Sequence, residues 1–247
     1  MKEILGKIHS VETCGTVDGP GIRYVIFMQG CYFRCVYCHN PDTWAANSNS
    51  QTVMSVAELM EDILKYKSYF KYSDGGVTLT GGEPLFQKEF AAALFKACKQ
   101  EAINTVLDTS GYDVIDNVTQ DVLANTDLVL LDFKSINADI YKCITGCSID
   151  NSLRFADYLL EAKIPVWARV VLVPGLTDNE KDLHALAGYL AQLNNIETVG
   201  ILPFHQMGAY KWKDLGISYK LADTPEPSLE ETERVRELFR EYGLVVK

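Results

Sequence analysis

The sequence of 247 residues has no apolar run of the roughly 18 residues that a transmembrane helix needs. Its amino-terminal segment also lacks the apolar core and the small-residue cleavage site of a secretory signal. The chain has 23 Lys and Arg against 33 Asp and Glu, and the basic residues are dispersed along it. Because a nucleic-acid interface needs a concentrated basic surface, we expect no nucleic-acid partner. Because the sequence has no long apolar run, we expect no membrane partner either. We therefore expect a cytoplasmic protein.

The seven cysteines do not suit a framework of paired disulfides, because their number is odd. Their distribution is uneven: three fall in one short segment, at Cys31, Cys35 and Cys38. Cys98 shares a helical spacing with apolar residues and is predicted to lie in the core. We assign no role to the remaining three, which are Cys14, Cys143 and Cys147.

Short apolar segments alternate with segments of helical periodicity, and no linker or repeat divides the chain. The predicted strands cover residues 22–28, 77–80, 105–108, 127–133, 166–173 and 196–202. Capping boxes at Ser55/Glu58 and Ser228/Glu231 predict the starts of two helices. Helical periodicity predicts four more, over residues 87–101, 114–124, 152–162 and 183–193. Repeated strand–helix units imply parallel strands joined by right-handed crossovers. About six units are too few for an eight-stranded barrel. We therefore predict one α/β domain over residues 1–247, as an incomplete barrel or an open sheet with ligands at the carboxyl ends of the strands.

The three clustered cysteines have the spacing Cys-x3-Cys-x2-Cys and follow the first predicted strand. Thiolates are preferred ligands of soft metals and iron–sulfur clusters, and three of them leave one iron of a cubane open to substrate. The spacing alone leaves three alternatives. Residues 35–39 also match a haem attachment motif, and the three cysteines with His39 could bind structural zinc. The cysteines could also be unliganded core residues.

Two further features lie beside the cysteines: Tyr37 precedes the last of them, and the segment Gly15-Thr16-Val17-Asp18-Gly19-Pro20-Gly21-Ile22-Arg23 lies just upstream. With Cys38-His39-Asn40-Pro41, these features resemble the radical S-adenosylmethionine superfamily, and within it the activases of glycyl-radical enzymes. The resemblance runs over nearly the whole chain. It implies a partial (β/α)6 TIM-like barrel, a [4Fe–4S] cluster on Cys31, Cys35 and Cys38, and S-adenosylmethionine at the open iron.

The resemblance also implies roles for the residues that follow the predicted strands. The Gly81-Gly82-Glu83 motif would contact the amino group of S-adenosylmethionine, and His205 would contact the adenosine portion. Lys134 would supply positive charge to the methionine carboxylate or the ribose region. A monovalent cation would bind at Asp108, Thr109 and Asp132. The full set implied to bind the cofactor is Tyr37, Cys38, His39, Gly81, Gly82, Glu83, Asp108, Asp132, Phe133, Lys134, Arg169 and His205.

The residues themselves leave plainer roles open for several of these positions. The two glycines could simply form a turn, and Asp108 could cap a helix. Arg169 could pair with a carboxylate of the core, and His205 could be structural.

The resemblance further implies that one electron from a flavodoxin or ferredoxin cleaves S-adenosylmethionine, and that the 5′-deoxyadenosyl radical takes a hydrogen from a glycine of a partner enzyme. Residues 18–20 and 39–40 are candidates for guiding that glycine. No cysteine lies between Cys38 and Gly81, so the ferredoxin-like insert of many related activases is missing. This favours pyruvate formate-lyase as the partner. The alternatives are another glycyl-radical enzyme, a small-molecule substrate, or a zinc-binding interaction protein without activity.

Overall fold

A computed structural model describes residues 3–48 and 51–247. Met1 and Lys2, part of the segment examined above for a secretory signal, lie outside the described residues. The chain forms two compact units, Met1–Tyr32 with Thr43–Leu130, and Phe33–Asp42 with Leu131–Lys247. The boundary divides the cysteine motif, because Cys31 belongs to the first unit and the other two cysteines belong to the second. A single domain over residues 1–247 stays a prediction.

The first unit contains most of the strands in the described chain. They are β1 (Leu5–Gly15), β2 (Arg23–Met28), β3 (Thr52–Ser55), β4 (Gly76–Gly81), β5 (Asn104–Thr109) and the start of β6 (Leu128–Asp132). Their hydrogen-bonded order is β3-β1-β2-β4-β5-β6. Strands β2, β4 and β5 are parallel, whereas β1 is antiparallel to both β2 and β3. The helices of this unit are α1 (Val56–Ile63), α2 (Lys67–Ser73), α3 (Lys88–Gln100) and α4 (Asn117–Ala124).

Local sequence explains where these helices begin. The capping box of α1 forms as predicted, since Ser55 accepts from the Glu58 amide while Glu58 accepts from the Ser55 amide. The predicted start of α4 at residue 114 is wrong. The Asp116 side chain accepts from the Thr119 amide and caps the helix, so α4 begins at Asn117.

The second unit continues with the end of β6, followed by β7 (Val166–Leu172) and β8 (Ile196–Pro203), in the order β6-β7-β8. Strands β7 and β8 are parallel. The helices are α5 (Ala138–Thr145), α6 (Asp150–Glu161), α7 (Glu180–Leu190), α8 (Ala209–Asp214) and α9 (Leu229–Glu241).

The structure confirms the α/β class and contains every strand that was predicted, with small differences at the strand ends. Neither strand order closes on itself. The prediction missed β1 because most of its side chains are exposed or only half-buried, so it has no apolar run. It also missed α5 and α8, which are short. Within the described residues, no helix is long and apolar enough to cross a membrane.

Candidate active site

The two glycines of the Gly81-Gly82-Glu83 motif allow the end of β4 to approach the end of β2. Gly81 has a φ of +100°, and a Cβ there would lie 2.5 Å from the Met28 nitrogen. A Cβ on Gly82 would lie 2.2 Å from the Gly30 oxygen. The Gly82 amide donates to the Met28 carbonyl at 2.9 Å, and the Glu83 amide donates to the Gly30 carbonyl at 2.8 Å. No residue with a side chain fits this backbone-to-backbone contact.

Glu83 is 1% exposed, and both of its carboxylate oxygens are occupied. Oε1 accepts from the Thr109 hydroxyl at 2.6 Å and from the Leu85 amide at 3.2 Å. Oε2 accepts from the Ser110 hydroxyl at 2.6 Å and from the Ser110 amide at 3.0 Å. Burial raises the pKa of Glu83, and these donors only partly oppose it. Glu83 thus holds the end of β5 in place through Thr109 and Ser110. Ser110 was not predicted as a site residue.

Asp108 lies at the end of β5 and accepts a hydrogen bond from the Thr80 hydroxyl at 2.6 Å. Thr78 pairs with Val106 in the parallel ladder, so Thr80 and Asp108, two residues further along, lie on the same face of the sheet. The Thr78 hydroxyl donates to the Asp18 carbonyl at 2.8 Å. The loop proposed to guide a glycine is therefore anchored on the face that carries Asp108.

Arg23 also holds the loop of residues 18–20, and it was not predicted as a site residue. Its buried guanidinium donates to the Pro20 carbonyl at 3.3 Å, to Asn104 Oδ1 at 2.8 Å and to the Val77 carbonyl at 2.6 Å. Burial lowers its pKa to about 10. The Gly-Pro-Gly-Ile-Arg pattern thus combines a loop with the residue that anchors it.

In the second unit, the end of α5 holds the segment that contains Cys35. The Arg34 amide donates to the Thr145 carbonyl at 3.1 Å, and the Val36 amide donates to the Ile144 carbonyl at 3.0 Å. The Cys38 amide donates to the Cys35 carbonyl at 3.0 Å and forms a tight turn between the two thiols. Cys35 is buried and not disulfide-bonded, and burial raises its thiol pKa to about 12.

Asp132, at the end of β6, forms ion pairs with two cations. Lys134 Nζ donates to Oδ2 at 2.8 Å, and Arg169 Nε donates to Oδ1 at 3.0 Å. Burial opposes the charge on Asp132, but the cations of Arg169 and Lys134 outweigh burial and lower its pKa. Burial also opposes the charge on Lys134, and Asp132 outweighs it, so that pKa is raised. The structure therefore brings three predicted site residues into one ion-pair network.

The predicted aromatic residues of this unit carry two buried polar atoms without hydrogen-bond partners among the described residues. These atoms are the Tyr37 hydroxyl and His205 Nδ1. The rings of His39 and His205 are 4.2 Å apart, and burial together with His205 lowers the pKa of His39. Phe133 donates its amide to the Arg169 carbonyl at 2.9 Å. Since buried polar atoms are normally paired, the two orphaned atoms fit a ligand that supplies hydrogen bonds.

The donor chemistry of the cysteine motif also fits an iron–sulfur cluster. Its three thiols are free of disulfides, and a buried thiol with a raised pKa gives up its proton when a cationic centre binds it. In the described residues, no three His, Cys, Asp or Glu side chains are grouped to hold a metal ion. Ligation by the three cysteines and the cation site at Asp108, Thr109 and Asp132 therefore stay predictions.

Comparison with known proteins agrees with this chemistry. The model of the Radical SAM superfamily matches residues 25–187. The chain is 42% identical over 241 residues to the pyruvate formate-lyase 1-activating enzyme of Escherichia coli K12, with 97% of both chains covered. It is 47% identical over 240 residues to the pyruvate formate-lyase-activating enzyme of Staphylococcus epidermidis, with 95% of this chain and 94% of that one covered.

A solved structure shares the fold. Streptococcus suis SuiB bound to precursor peptide SuiA matches with a TM-score of 0.68 and 17% identity, over 97% of this chain and 50% of SuiB. The chain therefore belongs to the Radical SAM superfamily and, within it, to the family of pyruvate formate-lyase-activating enzymes. Membership confirms the predicted class of enzyme and fold, and it implies S-adenosylmethionine and a [4Fe–4S] cluster as cofactors.

Proposed function

We propose that this enzyme activates pyruvate formate-lyase by generating a glycyl radical on it. The observation that carries the proposal is the Cys-x3-Cys-x2-Cys motif within a chain 42–47% identical to two enzymes named for this activation. The identity extends over more than nine-tenths of each chain, so the similarity includes the segments on both sides of the motif.

In this proposal Cys31, Cys35 and Cys38 ligate the [4Fe–4S] cluster. When bound, the cluster would supply reducing chemistry for the cleavage of S-adenosylmethionine, which would provide the means to abstract a hydrogen atom from a glycine Cα. No side-chain acid or base is needed for that abstraction. The residues of the chain bind and orient the reactants and keep water away from them.

The described contacts support distinct tasks for the other residues. Asp132 holds Lys134 and Arg169 in place, so their positive charge is fixed before an anionic carboxylate of the cofactor arrives. The Tyr37 hydroxyl and His205 Nδ1 are available for hydrogen bonds to the cofactor. We also propose a monovalent cation at Asp108, Thr109 and Asp132, where Asp132 already pairs with Lys134 and Arg169.

We propose a flavodoxin or ferredoxin as the electron donor, because S-adenosylmethionine cleavage consumes one electron that no residue of the chain supplies. We also propose that the enzyme works in the cytoplasm. Residues 18–20 are proposed to guide the partner's glycine, since Arg23 and Thr78 fix their backbone on the sheet.

The test uses protein reconstituted anaerobically with iron and sulfide, reduced, and mixed with S-adenosylmethionine. The wild type should release 5′-deoxyadenosine, and pyruvate formate-lyase added to the mixture should show a glycyl radical by electron paramagnetic resonance. Cys35→Ala should lose both signals and most of its iron. The matched control is Cys143→Ala, which changes an exposed cysteine outside the motif and should retain both.

The outcomes separate the alternatives. Cleavage without a glycyl radical on pyruvate formate-lyase would contradict the proposed partner and redirect the search to other glycyl-radical enzymes or small molecules. Zinc without sulfide in the isolated protein would contradict the cluster. Full cleavage by Cys35→Ala would contradict the proposed ligation.

A further inference from the structure

The segment that follows β8 contacts the end of the cysteine motif. We call residues 205–214, which include α8, the α8 clamp. Neither its helix nor its contacts were expected from the sequence, apart from His205. The clamp touches residues 38–42 through His205, Gly208, Lys211 and Trp212, and all of these contacts lie within the second unit.

Two consecutive residues of α8 form hydrogen bonds with residues 38–42. The Trp212 Nε1 donates to the Cys38 carbonyl at 2.9 Å, and the Trp212 side chain is 4% exposed. Lys211 Nζ donates to Asn40 Oδ1 at 2.8 Å and to Asp42 Oδ2 at 3.0 Å. One hydrogen bond from a buried indole and one ion pair thus fix the two ends of this short loop.

The start of the clamp packs against the middle of the loop. His39 Nε2 lies 3.3 Å from the His205 carbonyl oxygen. A Cβ on Gly208 would lie 2.7 Å from the His39 Cα and 3.1 Å from its carbonyl oxygen. Any larger residue at position 208 would therefore displace the loop, and the glycine permits the close contact.

The motif is held differently on its two sides. Backbone bonds from Arg34 and Val36 to the end of α5 fix the part that precedes Cys38. Side chains of the α8 clamp fix Cys38 and the residues that follow it. The Cys38 amide also donates to the Cys35 carbonyl, so the Trp212 hydrogen bond adds to a backbone turn, and Lys211 holds the residues that follow Cys38.

From these contacts we infer that Trp212 and Lys211 are positioning residues, which hold Cys38 in a fixed loop before any cofactor binds. The inference rests on the proposed function only in making Cys38 a cluster ligand. A site whose ligands are ordered in advance loses less entropy when it is filled. The contacts themselves do not depend on the cluster, so they can be tested in protein without it.

The experiment is pulsed alkylation of cofactor-free protein with iodoacetamide, followed by mass spectrometry of each cysteine peptide. Trp212→Phe keeps an aromatic ring but loses the hydrogen bond, and Lys211→Met keeps the apolar stem but loses the charge. Each should raise the alkylation rate of Cys38 by roughly three- to tenfold, the effect of losing one hydrogen bond on local opening. Lys211→Arg should restore the wild-type rate in part.

Two cysteines of the same protein serve as internal references. Cys143 is exposed and should be alkylated at an unchanged rate. Cys98 is fully buried and reports global unfolding. The matched variants are Trp167→Phe, which also loses an indole hydrogen bond, to Glu197, and Lys213→Met, in the same helix. Neither should change the alkylation of Cys38.

A second measurement tests the ion pair. Asp42→Asn should accelerate Cys38 alkylation as Lys211→Met does, and the double variant should show no further increase. If Trp212→Phe fails to fold, this comparison decides the matter. An unchanged Cys38 rate in folded Lys211→Met, or a parallel rise at Cys98, would overturn the inference. Because no step uses S-adenosylmethionine, a failure here is distinct from a failure of the proposed function.

Discussion

Each unit of the molecule has a carboxylate with little or no exposure at the end of a strand or just beyond it, and the two are stabilised in different ways. Glu83, in the first unit, is surrounded by hydroxyl and amide donors. Asp132, in the second unit, lies between an ammonium and a guanidinium group. The pKa of Glu83 is raised, and the pKa of Asp132 is lowered.

The difference shows that neutral hydrogen-bond donors offset the loss of hydration of a carboxylate less than paired cations do. Four donors around Glu83 do not offset the loss of hydration, whereas two cations around Asp132 more than offset it. The environment of Glu83 suits a residue that holds the backbone in place, because both of its carboxylate oxygens accept hydrogen bonds from Leu85, Thr109 and Ser110. The environment of Asp132 suits a residue that holds positive charge in place for an anionic ligand.

The largest effect is expected for Asp132→Asn, which removes the carboxylate that pairs with both Lys134 and Arg169. Removing one partner of a largely buried ion pair is costly, and we expect the free energy of unfolding to fall by roughly 3 kcal/mol. Urea unfolding monitored by circular dichroism measures it. Asp157→Asn, which changes an exposed carboxylate in α6, is the control and should shift stability little. Equal effects of the two variants would refute the ion-pair account.

A smaller effect is expected for Glu83→Gln. The amide replaces one accepting oxygen by a donor that faces other donors, which costs about 1–3 kcal/mol, but it also removes a buried charge. We expect a net loss of about 1–2 kcal/mol in the same urea experiment at pH 7. Glu61→Gln, at an exposed position of α1, serves as the control. A loss as large as that of Asp132→Asn would contradict the contrast drawn between the two carboxylates.

The smallest and most specific effect is the opposite pH dependence of the two carboxylates. Because the pKa of Glu83 is raised in the native state, Glu83 keeps its proton at pH values where it has lost it in the unfolded chain. Its contribution to the free energy of unfolding therefore falls as the pH rises above 4.5. The stability difference between wild type and Glu83→Gln should therefore narrow above pH 4.5. The lowered pKa of Asp132 stabilises the fold above pH 3.8 and is lost as the pH falls through the lower native value.

Unfolding of both variants between pH 3 and pH 7 measures this pattern. The difference in the free energy of unfolding between wild type and Asp132→Asn should stay large above pH 3.8 and become smaller in more acidic solution. If both differences changed in the same direction with pH, the contrast between the two carboxylates would be wrong.

The sequence alone was sufficient to predict the parallel strands and to predict that motif residues lie at their ends. Buried strands such as β2 are continuous apolar runs, and the capping boxes before α1 and α9 have specific residue spacing. The sequence alone did not predict contacts between residues far apart in the chain. Nothing near Trp212 indicates that its indole reaches Cys38, and the role of Ser110 depends on a carboxylate 27 positions earlier.

The most direct test of the central claim uses pyruvate formate-lyase whose glycines carry deuterium at the α-carbon. The partner is mixed anaerobically with the reconstituted, reduced enzyme and S-adenosylmethionine, and the mass of the 5′-deoxyadenosine is measured. If this chain abstracts hydrogen from a glycine of its partner, the product should carry one deuterium. Product formed with the partner present but without deuterium would contradict the claim.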